Sequence, residues 1–310
     1  MRQQLSRTWV PVLAVLGVLA IAGCGSSNNS TSSSSSTTTS TTSPAATATT
    51  GANPSVEAQV PAALKSKGKL VVASEAQYAP NEFIAPDGHT VIGMDPDLTK
   101  ALGAVMGLSV EVVNSNFETI IPGLTAGRYD VGASSFTDTK ERQKTVDFVD
   151  YFNAGISFYA KSSSNPGVTT IADLCGKTVA VQKGTVEQTG AEAQSKTCTK
   201  EGKAAVSVLI FTGQNAVNLA VSGGRAEVGM ADSPVVAYQV KLSNGAFKVV
   251  GKSYAFAPYG FALPKTTGLA NPMLAALKVL IASGQYNSIL AKWGLQEGAL
   301  TTPTINGATS

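Results

Sequence analysis

Leu124-Thr125-Ala126-Gly127-Arg128-Tyr129-Asp130-Val131-Gly132 has a counterpart further along the chain, Val221-Ser222-Gly223-Gly224-Arg225-Ala226-Glu227-Val228-Gly229. Each reads as the end of a helix, a glycine, an arginine, one residue, an acid, then Val and Gly. The offset is 97 residues at every position. Before the first copy, Phe117 to Ala126 reads as a helix with Ile120, Ile121 and Leu124 on one face. Before the second, Asn215 to Ser222 reads as another. A helix stopped by glycine and feeding a strand is one step of a βαβ unit. Two copies of that step predict two similar α/β lobes. The same offset relates Ser135 to Asp232. Both are expected just past the carboxyl end of a parallel strand, where open α/β sheets bind ligands. Two such lobes facing each other make a cleft.

The flanking segments extend the alternation. Leu70-Val71-Val72-Ala73 predicts a strand. Asp95-Pro96 predicts a helix start, Asp as N-cap and Pro in the first position. Leu98, Ala101, Leu102, Val105 and Met106 follow at helical spacing until Gly107. Val110 to Val113 and Tyr129 to Gly132 are further strands, and Asp138-Thr139-Lys140-Glu141 has capping-box spacing. In the second block Thr178 to Val181, Val206 to Ile210 and Ala226 to Met230 predict strands, and residues 271–293 read as helical. The globular region is expected from about Leu64 to Gly298.

Composition narrows the function. The 310 residues carry a net charge of +3, and without the two arginines of residues 1–23 the chain is nearly neutral. Nucleic-acid binding needs a concentrated basic face, so it is excluded. His89 is the one histidine, and it sits in the turn sequence Pro86-Asp87-Gly88-His89. Multi-histidine metal sites are therefore excluded, and three cysteines cannot form a four-cysteine zinc centre. Gly176-Lys177-Thr178 lacks the glycine that a phosphate-binding loop needs five residues earlier, where Ile171 stands. Neither a G-x-S-x-G nor a G-x-G-x-x-G stretch occurs. No metal and no cofactor is expected.

The N-terminus reads as an address. Arg2 and Arg7 precede an apolar run from Trp9 to Ala22, too short to span a bilayer as a mature helix. It ends in Ile21-Ala22-Gly23-Cys24, which resembles a lipoprotein signal of residues 1–23 with Cys24 as the lipidated residue. From Ser26 to Thr50, 19 of 25 residues are Ser or Thr and none is charged. A disordered tether over 24–63 is the expectation, since such a segment cannot offset its ordering entropy. Cys175 and Cys198 remain, and in an exported chain the pair favours a disulfide over two buried thiols.

Several ordered segments resemble one family. They include Tyr78-Ala79-Pro80-Asn81-Glu82-Phe83, Ile92-Gly93-Met94-Asp95-Pro96-Asp97-Leu98, Ile120-Ile121-Pro122-Gly123-Leu124 and Thr139-Lys140-Glu141-Arg142. Further on come Val146-Asp147-Phe148, Asp232-Ser233-Pro234, Pro258-Tyr259-Gly260, Gly284-Gln285-Tyr286 and Lys292-Trp293-Gly294. In this order they resemble the polar amino-acid binding proteins of ABC importers, the family-3 extracellular solute-binding proteins. The resemblance implies an α/β, two-lobed periplasmic-binding-protein (flytrap) fold with two crossover hinge strands, near 154–160 and 253–259. Lobe 1 would take residues 64–156 and 257–298, lobe 2 residues 157–256, and residues 299–310 would form a tail. The Cys175–Cys198 bridge would then staple lobe 2 alone.

The resemblance also implies a site. Arg142 would grip the ligand's α-carboxylate with a planar fork that lysine lacks. Ser135 and Thr137 would add hydroxyl and backbone donors. Asp232 would take the α-ammonium from lobe 2, so that ligand favours the closed form. Tyr78 and Phe117 would sandwich the aliphatic part, and the Gly184-Thr185 turn would cap the carboxylate with free N–H groups. Glu75 occupies the position of a side-chain sensor. A second carboxylate suits lysine, arginine or ornithine and also accepts from a glutamine amide. Against a basic ligand, Asn81 replaces the Phe that relatives commonly have, and Glu75 is one methylene longer than the Asp common at its position, which shortens the room for a long ligand; acidic and other small zwitterions stay open, and Ala231 and Gln182 are not diagnostic. The implied protein is a monomeric lipid-anchored capture subunit that needs no cofactor, does no chemistry and hands a free amino acid to a membrane permease. A ligand-sensing lipoprotein, or a cyclohexadienyl-dehydratase-like enzyme with Glu75 as its acid, are the alternatives.

Overall fold

The computed structural model describes residues 50–308. The signal segment, Cys24 and most of the Ser/Thr-rich stretch lie outside the described residues. Two short helices, α1 (Pro54–Glu57) and α2 (Ala62–Lys67), lead into the first lobe. It contains β1 (Lys69–Ser74), β2 (Gln77–Tyr78), β3 (Glu82–Ile84), β4 (Val91–Ile92), α3 (Met94–Val105), β5 (Ser109–Asn114), α4 (Phe117–Thr125), β6 (Val131–Gly132) and α5 (Lys140–Gln143). β7 (Val146–Lys161) crosses to the second lobe. There β8 (Thr178–Gln182), α6 (Val186–Lys200), β9 (Ser207–Phe211), α7 (Gln214–Ser222), β10 (Val228–Asp232) and α8 (Ser233–Leu242) follow. β11 (Phe247–Pro264) returns, and α9 (Ala270–Ala282) and α10 (Gln285–Trp293) pack on the first lobe.

Eight of these strands form one sheet in the order β5-β1-β6-β11-β7-β10-β8-β9, and β2, β3 and β4 make a small antiparallel sheet beside it. β1 runs parallel to β5 and β6, and β8 runs parallel to β9 and β10. β7 and β11 pair antiparallel along their length and belong to both halves. Their register breaks between Val250 and Tyr254 and again before Ala257, where Ala255 takes a left-handed φ of 50°.

The repeat read in the sequence is structural. α4 and α7 begin and end 97 residues apart, and Gly127 and Gly224 stop them with φ values of 70° and 73°. The acid that follows has one task in both halves. Asp130 accepts the Val71 N–H at 2.7 Å, and Glu227 accepts the Thr178 N–H at 2.9 Å. Each carboxylate thereby ties a new strand to the start of its lobe's central strand. A lysine joins each, Lys67 at 2.6 Å and Lys177 at 3.3 Å.

Several local expectations change. The tether was expected to reach residue 63, but Asn53 caps α1 with its side chain and donates its N–H to the Val105 carbonyl at 3.0 Å. Val56 and Val60 are buried in the lobe 1 core. Asn53-Pro54 is a helix-start signal that the surrounding Ser/Thr composition masked. Asp95 is not an N-cap, because α3 starts at Met94 and its carboxylate serves Ser135 and Tyr151. Thr139, not Asp138, caps α5. The helical run 271–293 breaks at Gly284, whose φ is 79°. The tail is ordered through residue 308. Asp150 donates its N–H to the Thr304 carbonyl, Asn306 bonds Phe148 both ways, and Ala308 donates to Asp138.

Cys175 and Cys198 form a disulfide with a Cα separation of 5.5 Å, inside the lobe 2 core. The bridge closes a sequence separation of 23 residues. Cys175→Ser with Cys198→Ser is expected to cost about 3 kcal/mol of stability on chain-entropy grounds. Chemical denaturation of the double variant measures it. An unchanged midpoint would show that the bridge constrains nothing.

Candidate functional site

A small, nearly closed cavity lies where the carboxyl ends of β1, β8 and β10 converge between the lobes. Glu75, Tyr78, Phe117, Ser135, Thr137, Arg142, Thr185 and Asp232 all line it. So do Glu82, Ser134, Gln182, Val186 and Glu187.

Arg142 is held in its plane before any ligand is considered. Its guanidinium lies 5.4 Å from the ring centroids of both Phe117 and Phe136, which stack at 4.4 Å. Nη1 donates to the Thr137 carbonyl at 2.7 Å, and Nη2 donates across the cleft to the Gly184 carbonyl at 3.0 Å. Burial lowers its pKa, and the carboxylates of Glu187, Asp232 and Asp138 oppose the shift. A guanidinium starting above 12 stays charged through such a change.

The other cavity charges are acidic. Asp232 ends β10 and accepts the Tyr78 hydroxyl at 2.8 Å, while its N–H donates to the Tyr78 oxygen at 3.0 Å. That exchange joins the lobes. Burial and the neighbouring Glu187 carboxyl hold Asp232 well above the usual carboxylate range. Burial, eased by a hydrogen bond from Gln182 and reinforced by the charge of Glu118, pushes Glu75 up to about 7. Its Oε1 is buried without a hydrogen-bond partner. Among the described residues that line the cavity, four carry carboxyls (Glu75, Glu82, Glu187 and Asp232) against one guanidinium.

The proposed donors are differently placed from expectation. Ser135, with a left-handed φ of 51°, gives its N–H to Asp95 at 2.8 Å and its hydroxyl to Glu82 at 3.1 Å. Its donors thus serve lobe 1 carboxylates rather than the cleft. The Gly184 N–H is taken by Gln188 Oε1 at 2.8 Å, and the Thr185 hydroxyl bonds the Gln182 carbonyl and caps α6. The turn's N–H groups are therefore not all free. Glu82, Gln182 and Glu187 carried no assigned role in the sequence reading. Glu82 shared a quoted segment with Tyr78. Glu187 gave no signal beyond a charge in the first turn of a helix.

Two α/β halves joined by a pair of crossing strands, with a charged cavity between them, define a two-lobed flytrap binding protein. The chain belongs to the bacterial extracellular solute-binding proteins, family 3, whose model matches residues 70–296. It is 38% identical over 254 residues to the arginine-binding protein ArgT of Corynebacterium glutamicum, covering 82% of this chain and 83% of that one. It is 32% identical over 237 residues to the L-arginine-binding protein of Pseudomonas aeruginosa, covering 72% and 86%. An ancestral arginine-binding protein, solved with arginine bound, superposes with a TM-score of 0.66 at 32% identity over 73% of this chain and 98% of its own. No helix of the described residues is long and apolar enough to cross a membrane.

Proposed function

We propose that the protein is the extracytoplasmic capture subunit of an ABC importer and that its ligand is a basic L-amino acid, arginine foremost. The observation that carries this is the make-up of the cavity wall, four carboxyls that burial holds partly neutral until a cation enters, to one guanidinium. Arg142 and Asp232 meet the two charges every amino acid has. Glu75, with its unpartnered oxygen, then faces the distal cation, while Tyr78 and Phe117 flank the aliphatic stem. Relatives named for arginine support the same reading. A ligand bridging Arg142 and Asp232 binds the closed form better and shifts the population toward it. Cys24 carries the lipid anchor, and a membrane permease receives the ligand.

Calorimetric titration of refolded, ligand-stripped protein against the twenty amino acids, ornithine, citrulline and cystine tests the reading. One-to-one binding of arginine is expected with a dissociation constant of about 1 μM or below, about −8 kcal/mol. Tight binding confined to glutamine or an acidic amino acid would overturn the basic ligand.

A pH dependence follows. Glu75 is neutral over part of its population below about 7 and attracts a cation only when ionised. Bound arginine favours the ionised form, so affinity falls as pH drops from 8 to 5.5, by at most about tenfold per pH unit per proton released on binding. Glu75→Gln is expected to flatten this profile. Identical slopes for variant and wild type would remove Glu75 as the sensor.

The raised Glu75 also favours a second reading, a dehydratase with Glu75 as general acid. A prephenate dianion would meet one cation and several carboxyls, an unfavourable balance. Turnover of prephenate or arogenate would establish the enzyme. Its absence alongside tight arginine binding removes it.

A further inference from the structure

We infer that Glu187 is a second carboxylate for the ligand's ammonium group, completing with Asp232 a two-carboxylate receptor. This rests on the reading above, in which an amino acid's ammonium meets Asp232. Glu187 is the second residue of α6, is only 2% exposed and lines the cavity. One of its oxygens, Oε1, is buried with no hydrogen-bond partner. Thr185 and Asp232 line the same cavity beside it. The two carboxyls come from different elements, α6 and the end of β10, and line the same cavity.

The groups facing this pair are Arg142 of α5, Tyr78 of β2, and Tyr254 and Tyr259 of β11. Arg142 is the one cation among them, and it is bonded to Thr137 and Gly184 over two phenyl rings. Two carboxyls side by side in a desolvated cleft cannot both ionise cheaply, so they share a proton. Burial raises both, in keeping with that arrangement. A primary ammonium brings one positive charge and three donors. It reaches Asp232 and the idle oxygen of Glu187 together and displaces the shared proton. An acid in the first turn of a helix usually serves only the helix dipole. That role works at the surface and gives no reason to bury an oxygen unbonded at a cavity wall.

The test compares L-arginine with 5-guanidinopentanoate, which keeps the carboxylate and the guanidinium and lacks the ammonium. Both are titrated into the full chain, wild type and Glu187→Gln, in buffers of different ionisation enthalpy at pH 7. We expect the wild type to prefer L-arginine at least about 100-fold and to release more protons on binding it than on binding 5-guanidinopentanoate, since both bring the guanidinium that Glu75 meets. Glu187→Gln should cut that preference about tenfold and the proton release by about half a proton, leaving 5-guanidinopentanoate affinity within about twofold. Equal weakening of both compounds, an unchanged preference, or equal proton release by the wild type with both compounds would overturn the inference. The last readout needs no variant to fold. If the wild type itself shows no preference for L-arginine, the amino-acid reading falls first. If that preference stands and Glu187→Gln keeps it, only the role of Glu187 falls.

Discussion

Arg142→Ala binds L-arginine at least about 100-fold more weakly than the wild type and unfolds at nearly the same temperature. The loss is large because the guanidinium is the one cation on the cavity wall. Without it, a ligand carboxylate enters a cleft lined by carboxyls with no cation to meet it, and two charge-assisted hydrogen bonds of about 1.5–3 kcal/mol each disappear. The fold is largely spared because Arg142 sits in the four-residue helix α5 at the cavity wall, where its guanidinium covers Phe117 and Phe136 from outside without being a member of their cluster. Arg142→Lys keeps the charge but not the fork, and should fall between the two. Calorimetry and thermal unfolding of both variants decide the matter. Wild-type affinity in Arg142→Ala would sink the assignment of the carboxylate end.

Gly93→Ala should unfold the protein far more readily, by about 3–5 kcal/mol. Gly93 has a φ of 136°, and a β-carbon there would lie 2.2 Å from the Asn81 carbonyl oxygen and 2.9 Å from the Glu82 Cα. Both obstacles are backbone, so no rotamer change relieves them. The segment cannot retreat either, because Asn81 accepts the Asp95 N–H at 3.0 Å and donates its side chain to Ser135 at 2.8 Å. A loss of that size lowers the melting temperature by roughly 10 °C in a domain of this length. Circular dichroism on heating measures it. A fall under about 2 °C would mean that β3 and the start of α3 are not pressed together as described.

What the sequence disclosed follows the range of the forces involved. The repeat was legible because helix, glycine, acid and strand are neighbours in the chain, and their order reports local geometry. Asp95 was misread for the same reason. Asp-Pro is a helix-start signal locally, yet Ser135 and Tyr151, 40 and 56 residues away, claim the carboxylate. The repeat placed Asp232 at a strand end, but its role, and Arg142 altogether, came from resemblance to a family. Glu187 could not be found in that way. Its meaning depends on Asp232, which is 45 residues distant and on another element. Ser135 sits in the cavity wall as expected, but the direction of its donors was set by Glu82 and Asp95, which no spacing rule connects to it.

The ordered C-terminal segment has a mechanical consequence. A strand rim with unpaired N–H and carbonyl groups is a template for another chain. On the side of β7 away from β11, Ile156 to Tyr159 pair with β10, and Phe148 to Phe152 meet residues 299–306. The rim is therefore occupied by two different partners, one from each half, on either side of residues 153–155. The hydrogen bonds described for the segment end on the lobe 1 stretch of β7 and on Asp138 and Tyr286. When the halves pivot, this strap travels with the first of them. The long strand stays sheathed without resisting the motion.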